Sequence, residues 1–171
     1  MYLLKLLRSS FKRHSFAKTI LVSASLPFLF SCVADVSDPG ATGTATLIFS
    51  TSNQQADVIT ELDFGFAAVG GYYDTSIFII NAGTGIAKNV SDQGLPPNFT
   101  FLGGSYPGSG GNCTSEIQVG QACKISLRYS PTAAAIDTGQ MQLGLEDVVN
   151  GASSVTLDLR GEGGTPASLA I

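Results

Sequence analysis

Three cysteines carry the broadest chemistry in this chain, because a thiol can form a disulfide, ligate a metal ion, attack a substrate or hold an attached group. Cys113 and Cys123 flank a polar stretch with a turn at Val119–Gln121, and Cys32 ends an oily stretch that begins at Leu26. If Cys113 pairs with Cys123, Cys32 is the odd cysteine left over. It is then a spare thiol, a partner in a second bridge, or the attachment point of a group that is not protein.

Residues for nucleophilic catalysis are scarce. The one histidine is His14, which lies in an amino-terminal segment that we interpret below as a removable leader. The chain beyond residue 31 therefore has no Ser-His-Asp or Cys-His arrangement. The glycine-rich segment Gly103–Gly111 contains no lysine and is followed by no helical pattern, so we predict a flexible connection there and not a phosphate loop. We predict that the protein is not an enzyme and has no cofactor.

Carboxylates are the remaining polar cluster. Four of them lie near one another in the sequence and could supply oxygen ligands to calcium: Asp57, Glu61, Asp63 and Asp74. No segment has the spacing of an EF-hand loop. Solvated surface charge is the more common role of such residues, so we predict no metal site.

The amino-terminal segment has the composition of a targeting leader. Five of the nine basic residues fall within the first 18 positions, and all thirteen acidic residues come at Asp35 or later. The apolar run Thr19–Phe30 that follows the basic region is shorter than the roughly twenty residues of a transmembrane helix and matches the core of a signal peptide.

The residues Leu29-Phe30-Ser31-Cys32 resemble the lipobox of bacterial lipoproteins, with an aliphatic residue, a small residue directly before the cut and a cysteine directly after it. The resemblance implies removal of residues 1–31 and attachment of a diacylglyceryl group and palmitate-type acyl chains to Cys32, which would hold the protein on a membrane. Val33 in place of Asp after the cysteine implies the outer membrane by the same resemblance. The alternative is an ordinary secretory leader with a cysteine nearby by chance.

The chain that follows is acidic. Beyond residue 31 it keeps four basic residues against thirteen acidic ones, so we predict no nucleic-acid partner. Residues 32–43 are rich in Gly, Asp, Ser and Ala and predict a lipidated terminus with a flexible tether. Residues 164–171 are predicted to be a short tail.

Short strands fill residues 44–163. Alternation of apolar and polar residues is cleanest over Cys123–Tyr129 and recurs over Gln140–Glu146 and Ser154–Arg160, with a tight turn predicted at Asn150-Gly151. The remaining candidate strands cover Ala45–Ser50, Leu62–Gly65, Tyr73–Asn81, Ile86–Ser91 and Phe99–Leu102, and Asn81–Gly85 is a strong turn signal. About seven short strands without helical periods predict an all-β, antiparallel β-sandwich.

Cys113 and Cys123 gain a context from this pattern. In an exported chain a disulfide between them would tie a loop back onto the strand that begins at Cys123. The alternative, a metal site with two cysteine ligands, lacks the further ligands that it would need. We therefore predict the disulfide.

A family resemblance runs from about Ala45 to Gly163. Leu62-Asp-Phe-Gly65, Asn81-Ala-Gly-Thr-Gly85, Tyr129-Ser-Pro131 and Leu159-Arg-Gly-Glu-Gly163 occur in the order seen in ASH-type domains, which are related to the major sperm protein fold and are often labelled choice-of-anchor D in bacteria. The resemblance implies an immunoglobulin-like sandwich of seven strands without shared catalytic residues.

Together these patterns predict a non-enzymatic binding or structural module held on a bacterial envelope, with a protein or glycan partner. The alternatives are an accessory subunit of an envelope enzyme or secretion complex, and a surface adhesin. Loops on a rigid sandwich often carry recognition, so we predict Gly103–Gly111, with Tyr106 as its one aromatic residue, as the binding loop.

Overall fold

Two β-sheets form the part of the chain that the computed structural model describes, residues 42–165. The nine strands there are β1 Leu47–Ser50, β2 Val58–Ile59, β3 Glu61–Ala68, β4 Tyr73–Asn81, β5 Lys88–Gly94, β6 Phe99–Phe101, β7 Ala122–Tyr129, β8 Ile136–Asp147 and β9 Gly151–Gly164, with a 3-10 turn at Gln55–Asp57. Cys32, the predicted leader, nearly all of the predicted tether and most of the predicted tail lie outside these residues.

The sheets have the order β2-β1-β4-β7-β6 in the first and β3-β9-β8-β5 in the second. All pairings are antiparallel except that of β3 with β9, which is parallel. The predicted all-β, immunoglobulin-like sandwich is confirmed. The structure has nine strands where about seven were predicted; the three-residue β6 matches the candidate Phe99–Leu102, whereas the two-residue β2 was not predicted.

The core lies between the sheets and follows the predicted alternation. Cys123, Ile125, Leu127 and Tyr129 of β7 are buried, as are Met141, Leu143 and Leu145 of β8. In a strand such residues share one face, so each sheet buries one side against the other. Within this core the rings of Phe64, Phe99 and Tyr129 pack against one another, and the centroids of the stacked Phe99 and Tyr129 rings are 4.9 Å apart.

The β8–β9 hairpin is longer than its apolar alternation predicts. Its register pairs every residue from Ile136 with Glu162 to Asp147 with Gly151. Gly161–Gly164 have little intrinsic preference for a strand. They extend β9 because this strand lies between β8 and β3 and is hydrogen-bonded on both sides.

One end of the sandwich, which we call the amino-terminal end, contains the first described residues, the turn after β4 and the turn between β8 and β9. The amide of Asn81, 0% exposed, joins the first described residues and the turn after β4 to Ile117, in the segment before β7. Its Oδ1 accepts hydrogen bonds from the N–H groups of Thr46 at 3.3 Å and Gly83 at 3.1 Å. Its Nδ2 donates to the carbonyls of Gly85 at 2.8 Å and Ile117 at 3.0 Å.

Asp147 fixes the second turn at the same end. Its carboxylate accepts hydrogen bonds from the N–H groups of Val149 at 2.8 Å and Asn150 at 2.6 Å, and from Ala45 at 3.2 Å. The Asn150 N–H, ahead of the one from Val149, holds the pKa of this carboxyl below its ordinary value. The carboxylate therefore ties the hairpin turn to the first described strand region.

Candidate functional site

A polar depression opens on the outer face of the second sheet, with a volume of about 470 Å³. Strands β5, β8 and β9 form it, and its polar lining includes Asn89, Ser91, Gln93, Gln142, Glu146 and Ser154. None of its lining residues is Lys or Arg.

Glycine makes the floor of this depression. Ser91 on β5, Gly144 on β8 and Ser154 on β9 lie directly opposite one another across the three strands. Gly144 has no side chain to fill the middle of the row, and the Gln93 amide lies over it: a Cβ at Gly144 would come within 2.8 Å of Gln93 Nε2. A larger residue at position 144 would therefore displace the amide that covers the floor.

Strand β5 is irregular where it borders the depression. Its register against β8 shifts between Lys88 and Ser91 and again between Asp92 and Gly94. Asn89 adopts a left-handed φ of 51°, a conformation that costs energy for any residue with a Cβ and that Asn tolerates better than most. Irregular edge strands of this kind are common beside binding sites, where they redirect a side chain.

The lining side chains bond to one another. Asn89 Nδ2 donates to Glu146 Oε2 at 2.7 Å, and Gln142 Nε2 donates to Ser154 Oγ at 2.9 Å. Both pairs are exposed. A polar ligand could replace these contacts with hydrogen bonds of its own, since amides and hydroxyls both donate and accept.

The predicted disulfide between Cys113 and Cys123 is confirmed, with an S–S distance of 2.02 Å. It fixes the residues before β7 to the start of that strand. Next to it, Asn112 Oδ1 accepts a hydrogen bond from the Lys124 N–H, and the Asn112 N–H donates to the Lys124 carbonyl at 2.9 Å.

The glycine-rich segment that leads to the disulfide differs from the predicted flexible connection. It continues along the free edge of β7 beyond β6: the Leu102 N–H donates to the Ser126 carbonyl at 2.9 Å, and the Ser126 N–H donates to the Pro107 carbonyl at 2.9 Å. A Cβ at Gly108 would lie 2.2 Å from the Ser126 carbonyl oxygen, so glycine permits this close approach. The segment covers an edge that would otherwise be open to other chains.

Tyr106, the predicted contact residue of this segment, packs inward. Its ring meets that of Phe101 edge-on at 5.5 Å, and its hydroxyl is buried without a hydrogen-bond partner among the described residues. Burial raises the pKa of Tyr106 to about 12. A role for Tyr106 in binding stays a prediction, and the structure gives this side chain a packing role.

Among the described residues, the four carboxylates that neighbour one another in sequence do not come together as one cluster. Asp63 lies on the second sheet, where Arg160 donates to it at 2.7 Å, and Asp74 lies on the first, where Arg128 donates twice at 2.7 Å. The Gly65 N–H, ahead of Arg160, lowers the pKa of Asp63, and hydrogen bonding from Arg128 lowers that of Asp74. Residues 42–165 contain no group of His, Cys, Asp or Glu side chains placed to hold a metal ion.

Within that same range, no helix has the length and apolar character to cross a bilayer.

Comparison with solved structures gives several similar chains at low identity. The VesB protease of Vibrio cholerae is similar over 69% of this chain and 31% of that chain, at 12% identity and a TM-score of 0.47. The ASH/PapD-like domain 7 of human CEP192 is similar over 91% of this chain and 100% of that chain, at 12% identity and a TM-score of 0.46.

A third similar structure is a protein of unknown function from Porphyromonas gingivalis W83, which matches over 75% of this chain and 51% of that chain, at 15% identity and a TM-score of 0.44. This chain thus spans less than a third of the VesB structure. The sequence matches no family model, and no curated protein sequence is significantly similar to it.

The depression was not predicted from the sequence. Its residues lie on three strands, and their proximity depends on the sheet order and register. The one local signal is Gly144, which interrupts the apolar and polar alternation of β8, because glycine inside a strand often marks a close approach or a bend.

Proposed function

We propose that this protein is a lipid-anchored module of a bacterial envelope that binds a neutral glycan in the depression of its second sheet. The immunoglobulin-like fold is that of a binding or structural module, and the polar depression is the observation that supports binding. The Leu29-Phe30-Ser31-Cys32 sequence supports the anchor. An acidic body without histidine beyond residue 31 supports a role without catalysis and without nucleic acid.

The lining chemistry favours a neutral, hydroxyl-rich ligand. A phosphate or sulfate group would need cations, and no Lys or Arg lines the depression. A hydrocarbon would need apolar walls, whereas most side chains that line the depression carry amides or hydroxyls, and one carries a carboxylate. Sugar hydroxyls both donate and accept hydrogen bonds, so they match Gln93, Gln142 and Ser154.

Retention of the purified protein on insoluble cell-wall polysaccharide tests the binding. We expect the double variant Gln93→Ala/Gln142→Ala to bind about tenfold or more weakly, since each lost hydrogen bond contributes about 1 kcal/mol. Gln118→Ala is the matched control, because Gln118 is an exposed glutamine on the loop closed by the disulfide and does not line the depression. Equal retention of both variants would count against the depression as the site.

Intact mass of the protein from the membrane fraction tests the anchor. We expect a chain that begins at Cys32, carries added acyl mass and gains hydrogen on reduction of the Cys113–Cys123 bridge. A soluble product without acyl mass would contradict the anchor and favour an ordinary secretory leader.

An accessory subunit is the second candidate, and one observation favours it. Phe66 and Ile136 are 61% and 59% exposed on the second sheet, in register on either side of Glu162. Apolar side chains of this size at the surface are common in protein contacts. After extraction in mild detergent, an accessory subunit should copurify with fixed partners. A surface adhesin, the other alternative, should be extracted without partners.

A further inference from the structure

Two valines form the apex of the β8–β9 hairpin. Val148 is 55% exposed and Val149 is 58% exposed. Gly, Asn, Asp, Ser and Pro dominate such turns, because they supply special backbone angles or bond to nearby N–H groups. Here Asp147 and Gly151 already perform those tasks, through the Asp147 carboxylate and the Gly151 φ of 70°. The turn itself therefore gives no reason for two exposed apolar residues at its apex.

A third exposed valine lies at the same end of the sandwich. Val119 is 46% exposed, and the N–H of its neighbour Gly120 donates to the Asn81 carbonyl at 2.8 Å. We call Val119, Val148 and Val149 the valine apex. The Asp147 carboxylate beside it accepts the Ala45 N–H, so the first described residues of the chain lie at this end too.

The two carboxylates near the hairpin turn of the valine apex are hydrogen-bonded to neighbouring groups. The Asp147 carboxylate is held by backbone N–H groups, and Glu146 accepts a hydrogen bond from Asn89 and lies in register with Lys88. Residues 42–165 contain four basic residues, of which Arg128 and Arg160 are paired with carboxylates, so the described part of the chain has no cationic cluster that would attract anionic lipid. The apex is therefore suited to a zwitterionic surface.

We propose that the valine apex rests in the interfacial region of a bilayer of zwitterionic lipids. This inference rests on the proposed anchor at Cys32. The eleven residues from Val33 to Gly43 span at most about 40 Å, and they join the body at the end that carries the apex. A short linker gives an effective concentration in the millimolar range, so a contact too weak to bind alone suffices.

Single-tryptophan reporters test the contact directly, because the sequence contains no tryptophan. The lipidated protein is isolated from membranes and reconstituted in phosphatidylcholine vesicles as Val149→Trp, with Val148→Trp as a second reporter. We expect a blue-shifted emission and quenching by brominated lipid. Ile136→Trp is the matched control, since Ile136 is 59% exposed at the other end of β8.

Each outcome decides the inference. Shift and quenching at the apex but not at position 136 support it. Acylated protein with solvent-exposed emission at all three positions overturns the contact and leaves the anchor intact, and equal shifts at all three overturn its restriction to this end. If the mass shows no acyl chain, the anchor is wrong. Coupling Cys32 to a maleimide lipid then tests the contact by the same reporters, since Cys113 and Cys123 are bonded to each other.

Discussion

Replacing Asn81 by alanine removes four hydrogen bonds from the interior at once. The side chain joins Thr46 and Gly83, through their N–H groups, to the carbonyls of Gly85 and Ile117. All four partners are backbone groups, and all belong to loops or strand ends. No other side chain at this end bonds to as many separate segments among residues 42–165.

The cost can be worked out from these contacts. A neutral hydrogen bond contributes about 1 kcal/mol net, and a buried partner left unpaired costs more. Water can reach some of the loop groups after truncation, so we expect Asn81→Ala to lower the free energy of unfolding by about 3–5 kcal/mol. For a domain of this size about 4 °C of Tm is lost per kcal/mol, so Tm should fall by about 12–20 °C.

Urea unfolding followed by circular dichroism, without reductant, measures this loss. The control is Asn53→Ala, which changes an exposed asparagine and should alter stability by less than about 0.5 kcal/mol. The urea m-value should be the same in both variants. A loss below about 1 kcal/mol for Asn81→Ala would refute the view that this amide holds the amino-terminal end together.

Three further predictions concern the segment before β7. Gly108→Ala should destabilise the protein more than Gly104→Ala in thermal unfolding, because both glycines have a φ near 90° but only Gly108 meets a backbone atom at 2.2 Å. Tyr106→Phe should leave stability at pH 7 unchanged or raised, since it removes a buried hydroxyl without a partner. The pKa of Tyr106 in the folded protein, about 12, exceeds its ordinary value of 10, so this hydroxyl ionises first in the unfolded chain. The free energy of unfolding should therefore fall as the pH rises above 10, and it should fall less steeply in Tyr106→Phe. Reducing the Cys113–Cys123 bridge should lower the free energy of unfolding by about 3 kcal/mol in urea. An unchanged urea midpoint after reduction would contradict this value.

Local patterns were sufficient for the fold class. The alternation over Cys123–Tyr129 predicts which residues of β7 face the core, and the turn signal at Asn150-Gly151 marks the hairpin that joins β8 to β9. The cysteine spacing, together with the expectation that the chain is exported, predicts the disulfide. In each case the interaction is short in sequence or the periodicity alone fixes the burial.

Contacts between distant segments could not be predicted from local patterns. Ser126 lies on the polar side of its strand, yet it is 3% exposed because the glycine-rich segment lies against it and Ser76 bonds to it at 2.9 Å. The polar depression depends on the order of β5, β8 and β9, which no single stretch encodes. Asn81 was visible as a turn residue, whereas its bond to Ile117 was not.

The parallel pairing of β3 with β9 determines when the second sheet can be completed during synthesis. Strand β9 is the last strand of the described chain, yet it is the inner neighbour of both β3 and β8. Until β9 has emerged from the ribosome, β3 has no partner in its own sheet, and the pairing is complete only once residue 164 is free. Such late, long-range closure slows folding. The chain therefore completes its second sheet only after nearly all of the described residues have been synthesised.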